Sequence, residues 1–251
     1  LLTGPRPYWI SNSITGFASE TSFRVPSGHS QNAAAVWGIM AAWMKKPWAW
    51  ITAILIIFFI GYSRLYLGVH FPHDVLLGWL IGALLLVLVL ILWKPVTAWV
   101  KKYSPGFQIL VAFIVSLILL LVIAIPTFRL LNHGWQAPPE WAAHAAQAVS
   151  LDGFFTTAGT LFGLLAGAVW LAHLGGFEEK GAWWKLVLRY LLGVAGVLVI
   201  RYGLKFIFPD GQDLLSLSLR YVRYAAIGFW MTGAAPWVFL KTNLAEKRHS
   251  S

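Results

Sequence analysis

Residues 63–93 read SRLYLGVHFPHDVLLGWLIGALLLVLVLILW. Behind Asp74 the stretch is apolar and uncharged as far as Trp93. At 1.5 Å per helical residue it reaches about 30 Å, the thickness of a bilayer's hydrocarbon core. It therefore predicts a membrane helix. The polar head of the stretch, Ser63-Arg64 through His70 and Asp74, falls where that helix meets water.

The rest of the chain repeats the pattern. Of its 251 residues 59% are hydrophobic and 11% charged, with a mean hydropathy of +0.70. Soluble domains carry about a quarter charged residues. The apolar runs are too long and unbroken for the strands of a membrane barrel. The fold class is therefore all-α, a polytopic helical membrane protein. Several of the 15 tryptophans stand at run ends (Trp48, Trp93, Trp183, Trp184), as in an interfacial aromatic belt. The absence of cysteine excludes disulfides and thiolate metal sites.

Seven spans are expected: Ser27–Met44, Trp48–Ser63, Asp74–Trp93, Phe107–Ile125, Gly153–Leu174, Trp184–Phe208 and Ser216–Leu240. They divide the chain into a core over residues 1–93, a connector over 94–106 and a membrane extension of about four spans over 107–251. Leu1–Arg24 and Thr127–Leu151 read as extramembrane loops. The formal charge of +10 would suit nucleic acid if it were gathered in one tract. Instead the basic residues recur between apolar runs, which marks topology and argues against a nucleic-acid partner. Lys45/Lys46, Lys94/Lys101/Lys102, Lys180/Lys185 and Lys241/Lys247/Arg248 alternate with loops holding Glu20, Asp74, Glu140, Asp152, Asp210 and Asp213. Lysine and arginine excess marks the cytoplasmic side, so the head of 63–93 is expected on the extracytoplasmic face.

A second polar stretch, Pro26-Ser27-Gly28-His29, opens a helix on the same expected face. Ser27 and Gly28 would place backbone amides at the helix N-terminus, where free N–H groups and the dipole favour an anion. Gly28 lets a phosphate oxygen approach the main chain, and His29 would project from the first turn beside it. Arg64 supplies a fork of donors matched to phosphate oxygens. Asp74, four residues after His70, can hold one imidazole nitrogen and leave the other free as nucleophile. Separately these residues also read as a helix cap, a snorkelling arginine and a dipole-facing aspartate. Their assembly on one membrane face favours phosphate chemistry.

Pro26-Ser27-Gly28-His29, together with Ser63-Arg64, His70 and Asp74 at their spacing, resembles two of three signatures of the type-2 phosphatidic acid phosphatase superfamily, which shares its helical core with vanadium haloperoxidases. The third signature is a lysine, six residues and Arg-Pro. Arg6-Pro7 fits its end, and the lysine is expected just upstream of Leu1, in an amino-terminally truncated core. The resemblance covers roughly residues 1–93 and implies a lipid phosphatase. His70 would be the nucleophile, Asp74 its orienting acid, and His29 the general acid and base. Arg6, Ser27, Gly28 and Arg64 would bind the phosphate, with no metal or other cofactor. Implied substrates are phosphatidic acid, phosphatidylglycerophosphate or undecaprenyl diphosphate, taken from the bilayer of a bacterial inner membrane at its outer face. A lipid phosphotransferase or a vanadium haloperoxidase would use the same residues. A transporter or scaffold with a vestigial site is the reading from another class.

Arg201, Lys205, Arg220 and Arg223 stand at the outward ends of the last two spans, against the usual charge bias. They read either as snorkelling, ion-paired helix ends (with Asp210 and Asp213 as partners) or as a second contact for anionic lipid. His73 reads as an incidental loop residue pointing away from Asp74, and His133, Glu140 and His144 as solvated loop residues. Gly78 with Gly82, and Gly159 with Gly163 and Gly167, carry the small-residue spacing of close helix packing.

Overall fold

The structure, a computed structural model, describes residues 3–11 and 13–248. Among these every regular element is helical: α1 (Pro7–Ile10), α2 (Gly28–Met44), α3 (Pro47–Tyr66), α4 (Pro72–Val100), α5 (Pro105–Asn132), α6 (Ala142–Ala148), α7 (Asp152–His173), α8 (Trp183–Ile207), α9 (Leu214–Phe229) and α10 (Ala235–Lys241). A 3-10 turn, Pro139–Trp141, precedes α6, and a π turn, Trp230–Ala234, joins α9 to α10. Five helices are long and apolar enough to cross a membrane: α3, α4, α5 over Pro105–Leu130, α7 and α8. Of the seven expected spans, α2 is short at 17 residues, and the last is interrupted by the π turn and carries Arg220 and Arg223. Large apolar side chains such as Trp43, Ile91 and Phe206 are bare over most of their surface (76%, 66% and 94%), as acyl chains require and water does not tolerate in such number. The chain is an integral membrane protein.

Several expected boundaries shift. Residues 94–100, expected in the connector, continue α4 past Pro95. Thr97 Oγ1 donates to Trp93 O at 2.6 Å there, and membrane helices tolerate proline in their interior. Likewise α5 does not stop at Pro126 but runs on to Asn132. Pro26 lies outside its helix, because Ser27 is the N-cap and accepts from Ser30 N. The end of the basic tail, His249–Ser251, lies outside the described residues.

The chain forms two compact units, one comprising residues up to Trp99 with Gly134–Val149, the other Val100–His133 with residues from Ser150 onward. In the first, α2 reverses at Lys45, whose φ of 52° is left-handed, and α3 starts on Pro47, which suits a first helical position. Ala41, Ala49 and Ala53 form the buried seam between these helices. Gly78 and Gly82 bring α4 against the start of α2. A Cβ on Gly78 would meet Ser27 O at 2.6 Å, and one on Gly82 would run into Gln31 O. Between α3 and α4 the chain turns at Gly68, φ +68°, where a side chain would meet Thr15 O at 2.9 Å. The loop before α2 is anchored by Trp9, buried with Trp141 and flanked by Tyr8, Phe23 and Trp135.

In the second unit Gly159, Gly163 and Gly167 seat α7 against α9 and the π turn, facing the carbonyls of Tyr221 and Ala225 and the hydroxyl of Thr232. Ser116 Oγ and Tyr221 OH share a hydrogen bond of 2.6 Å between α5 and α9. Arg189 holds the loop before α8 and the segment after α10, donating to Glu179 O at 3.0 Å and Leu244 O at 2.8 Å.

Candidate active site

The two motif stretches are tied through the backbone. Ser27 N donates to Asp74 O at 3.1 Å, an approach that the missing side chain of Gly78 permits. Asp74 is fully buried in the first turn of α4. Its Oδ2 accepts from Phe71 N at 2.8 Å, which closes the turn carrying His70 and sets its ring 3.7 Å away, Nδ1 to Oδ2.

His70 is 4% exposed. Its other nitrogen, Nε2, lies 3.0 Å from Arg6 Nη1. Arg6 is as deeply buried and is held by carbonyls on three sides. Nε donates to Ser22 O at 2.7 Å, Nη1 to Val69 O at 2.9 Å, and Nη2 to Phe23 O at 3.3 Å and Ser22 Oγ at 3.0 Å. Burial first, and the Arg6 charge second, push His70 down from 6.5 to about 4. The imidazole is neutral at pH 7, with a lone pair on the nitrogen that faces Arg6. Desolvation also lowers Arg6, opposed by Glu20, but an arginine stays charged.

Above this buried pair lie the more exposed groups. Glu20 sits among three side chains, with Oε1 3.6 Å from His29 Nδ1 and 3.7 Å from Arg64 Nη1, and Oε2 3.9 Å from Arg6 Nη2. Its position is set by its amide, which donates to Tyr8 OH at 3.1 Å. The His29 side chain is half exposed, and Arg64 Nε donates to Ser63 Oγ at 3.3 Å. Gly28 opens α2, so its amide has no carbonyl a turn earlier in the helix. A Cβ placed on it meets nothing within 4 Å. Ser27 differs from expectation. Its amide is taken by Asp74 O and its buried hydroxyl accepts from Ser30 Oγ at 3.0 Å, so in this state it joins the motifs and caps α2.

Residues 1–98 match the model of the PAP2 superfamily, the type-2 phosphatidic acid phosphatases. Residues 155–247 match that of its phosphatase transmembrane extension. The chain belongs to the PAP2 superfamily. Among curated proteins it is 42% identical over 93 residues to phosphatidylglycerophosphatase B of Bacillus subtilis, covering 32% of this chain and 46% of that one. It is 39% identical over 64 residues to undecaprenyl-diphosphatase of Sulfolobus acidocaldarius, covering 25% of this chain and 30% of that one. With glucose-6-phosphatase catalytic subunit 1 of Mus musculus it is 26% identical over 270 aligned positions, 94% of this chain and 74% of the relative. The chain thus spans less than half the length of the first two. No solved structure matches it.

This PAP2 site contains three residues that sequence reasoning left out. Glu20 read only as a loop acid, yet its carboxylate stands where Arg6, His29 and Arg64 converge. Arg24 Nη1 lies 3.7 Å from Asp74 Oδ1, with its guanidinium 4.9 Å over the Phe71 ring. His73 is not turned away from Asp74. Its Nε2 is 3.2 Å from Asp74 Oδ1 and 2.7 Å from Arg24 Nη1. The available signals were the scarcity of carboxylates, 9 in the whole chain, and the nearness of Glu20 and Arg24 to Pro26. His144 is exposed, as expected of a solvated residue, but one face of its ring stacks on Trp9 at 5.5 Å. Among the described residues no group of three or more His, Cys, Asp or Glu could hold a metal ion.

In the second unit of the PAP2 chain, Arg220 Nη2 meets Asp152 Oδ2 at 2.9 Å and Asp210 at 3.9 Å, and Lys205 meets Asp210 at 4.0 Å. Asp213 does not join them. It caps α9, accepting from Ser216 N at 3.0 Å and Ser216 Oγ at 2.5 Å, and these bonds hold its carboxyl below the usual range. Arg201 Nη1 donates to Tyr224 OH at 2.6 Å, and Arg223 is buried.

Proposed function

We propose that this chain is a membrane phosphatase that hydrolyses phosphomonoester or diphosphate lipids through a phosphohistidine on His70. The observation that carries the reading is the placing of one neutral, buried imidazole between Asp74 on Nδ1 and Arg6 on Nε2. Nε2 attacks phosphorus, the bond from phosphorus to the leaving oxygen breaks, and His29 gives that oxygen its proton. His29 then takes a proton from water, whose oxygen displaces His70 and releases inorganic phosphate. Arg6, Arg64, the Gly28 amide and Ser27 are assigned to the charge on the equatorial oxygens. Ser27 has its hydroxyl proton as the remaining donor.

The alternation of lysine-bearing loops with acidic ones supports an outward-facing site, and the likeness to a Bacillus subtilis protein supports a bacterial cytoplasmic membrane. Phosphatidylglycerophosphate and undecaprenyl diphosphate are the lipids for which two of the relatives are named, and phosphatidic acid is the third candidate, from the superfamily. On the same reading residues 1–93 form the catalytic core and 107–251 a membrane extension.

His70→Ala should abolish phosphate release from all of these lipids while leaving the thermal transition in place. His29→Ala should let an acid-labile phosphoprotein accumulate. Turnover retained by His70→Ala removes the nucleophile assignment.

A further inference from the structure

The second unit holds a charge with no counterpart. Arg223 lies on α9 roughly 13 Å along the axis from Leu214, at 1.5 Å per residue, and is only 5% exposed. Its Nε has no hydrogen-bond partner, and its Cζ lies 5.5 Å from the centroid of the Tyr224 ring. The three carboxylates at this end of the unit are engaged elsewhere. Asp152 is on Arg220, Asp210 lies between Arg220 and Lys205, and Asp213 caps α9. Among the described residues no carboxylate pairs with Arg223. A guanidinium cannot shed its proton to relieve burial, and a buried unpaired charge is among the costliest arrangements in a protein.

Arg201 is arranged to share the same feature. It reaches Tyr224 from α8, donating to the phenol oxygen at 2.6 Å, so two guanidiniums meet one tyrosine, one at its hydroxyl and one over its face. Among the described residues no carboxylate pairs with Arg201 either, although it is exposed. Around it the end of α8 is bare, with Val199, Tyr202, Phe206 and Ile207 at 71%, 62%, 94% and 71% exposure. An apolar helix end left open beside two acid-free arginines matches a molecule with acyl chains and an anionic head.

We propose that Arg223 and Arg201, with Tyr224 between them, form a binding site for the phosphate group of an anionic membrane lipid, separate from the site around His70. The phosphate oxygens would take the Arg223 donors that lack an acceptor and the free donors of Arg201. Arg220, held by Asp152, would fix the polar rim. The acyl chains would lie along the exposed end of α8. The site rests on the second unit alone and does not depend on the activity proposed above.

The test uses the full chain, delipidated in a neutral detergent and titrated with short-chain phosphatidylglycerol, phosphatidylcholine or inorganic phosphate, the melting temperature being read. Phosphatidylglycerol should raise the melting temperature, and the other two should not. Arg223→Met should weaken that response about tenfold or more, the loss of a charge-assisted contact, and Arg223→Lys should keep part of it. If Arg223→Met fails to fold, Arg201→Gln on the exposed side carries the same expectation. Arg64→Gln should leave the response intact. A response that survives both Arg223→Met and Arg201→Gln, or that Arg64→Gln removes, overturns the proposal. So does a response to inorganic phosphate equal to that to phosphatidylglycerol, which would make the site one for free anions.

Discussion

Arg6 Nη1 lies 3.0 Å from His70 Nε2, and both side chains are almost wholly buried. An arginine can only donate. Nε2 must therefore accept, and the single imidazole proton rests on Nδ1, the atom facing Asp74 Oδ2 at 3.7 Å. Arg6 thus imposes the tautomer, and the Nδ1 proton it leaves faces Asp74 across a gap too long for a hydrogen bond. That is the tautomer a nucleophilic Nε2 requires. Its lone pair is covered by Arg6 in this state, and turning Nη1 from Nε2 to a phosphate oxygen would uncover it. Because the guanidinium is a rigid plane, that turn would also loosen its bonds to Ser22, Phe23 and Val69.

The titration of His70 follows from this burial. With its midpoint near 4 instead of 6.5, the ring is neutral in both folded and unfolded chains above pH 6.5. Between 6.5 and 4 the unfolded chain takes up a proton that the folded chain refuses. Stability should therefore fall as pH falls through that window, by up to about 3 kcal/mol. Labelled-histidine NMR should place the midpoint near 4. Arg6→Met, which removes the second cause, should raise it and shrink the acid loss of melting temperature. A His70 midpoint at its ordinary value would remove this account of the site.

Asp74 has two tasks that can be separated. Its Oδ2 caps the Phe71 amide and faces His70. Asp74→Asn keeps an oxygen for the cap but loses the charge that stabilises a proton on Nδ1. Turnover should drop by a factor on the order of 10² to 10⁴ with little change in melting temperature. Asp74→Ala should lose turnover and also about 1 kcal/mol or more of stability with the cap. Equal stability losses in the two variants would count against the division.

Glu20 places a carboxylate within 3.9 Å of Arg6, His29 and Arg64, where an incoming phosphate would add a like charge. Glu20→Gln removes that competition and should tighten inhibition by inorganic phosphate about tenfold, the scale of one like-charge contact in a partly buried site. The inhibition constant measures it. An unchanged constant would show that the carboxylate does not compete with the anion.

The motif residues were legible because their chemistry is local. A helix-opening Ser-Gly-His, an arginine at a span's end and a histidine four before an aspartate can each be read within one turn. Arg24 and His73 were not legible in that way. Arg24 reaches Asp74 only because Ser27 N binds Asp74 O and Gly78 lets the two helices touch, which is a property of packing. The small-residue spacing at Gly78 and Gly82 announced a close contact but could not name its partner. The ends of α4 and α5 were misread for a different reason. Pro95 and Pro126 are strong breakers in water, whereas membrane helices tolerate proline in their interior, and both helices run on past it.

Gly28 separates a helix cap from an anion cradle. A Cβ there meets nothing within 4 Å, and alanine is a better helix former than glycine, so Gly28→Ala should leave the melting temperature unchanged or slightly higher. If a phosphate oxygen sits against the Gly28 amide, the added methyl occupies its approach. The Michaelis constant for a lipid phosphate and the inhibition constant for vanadate should both rise, by about tenfold for one lost charge-assisted hydrogen bond. Gly153→Ala, at the start of α7 with nothing within 4 Å of its Cβ, is the matched control and should change neither constant. Unaltered constants in Gly28→Ala would reduce the Ser-Gly-His turn to a cap for α2 and leave Arg64 and Arg6 as the groups holding the anion.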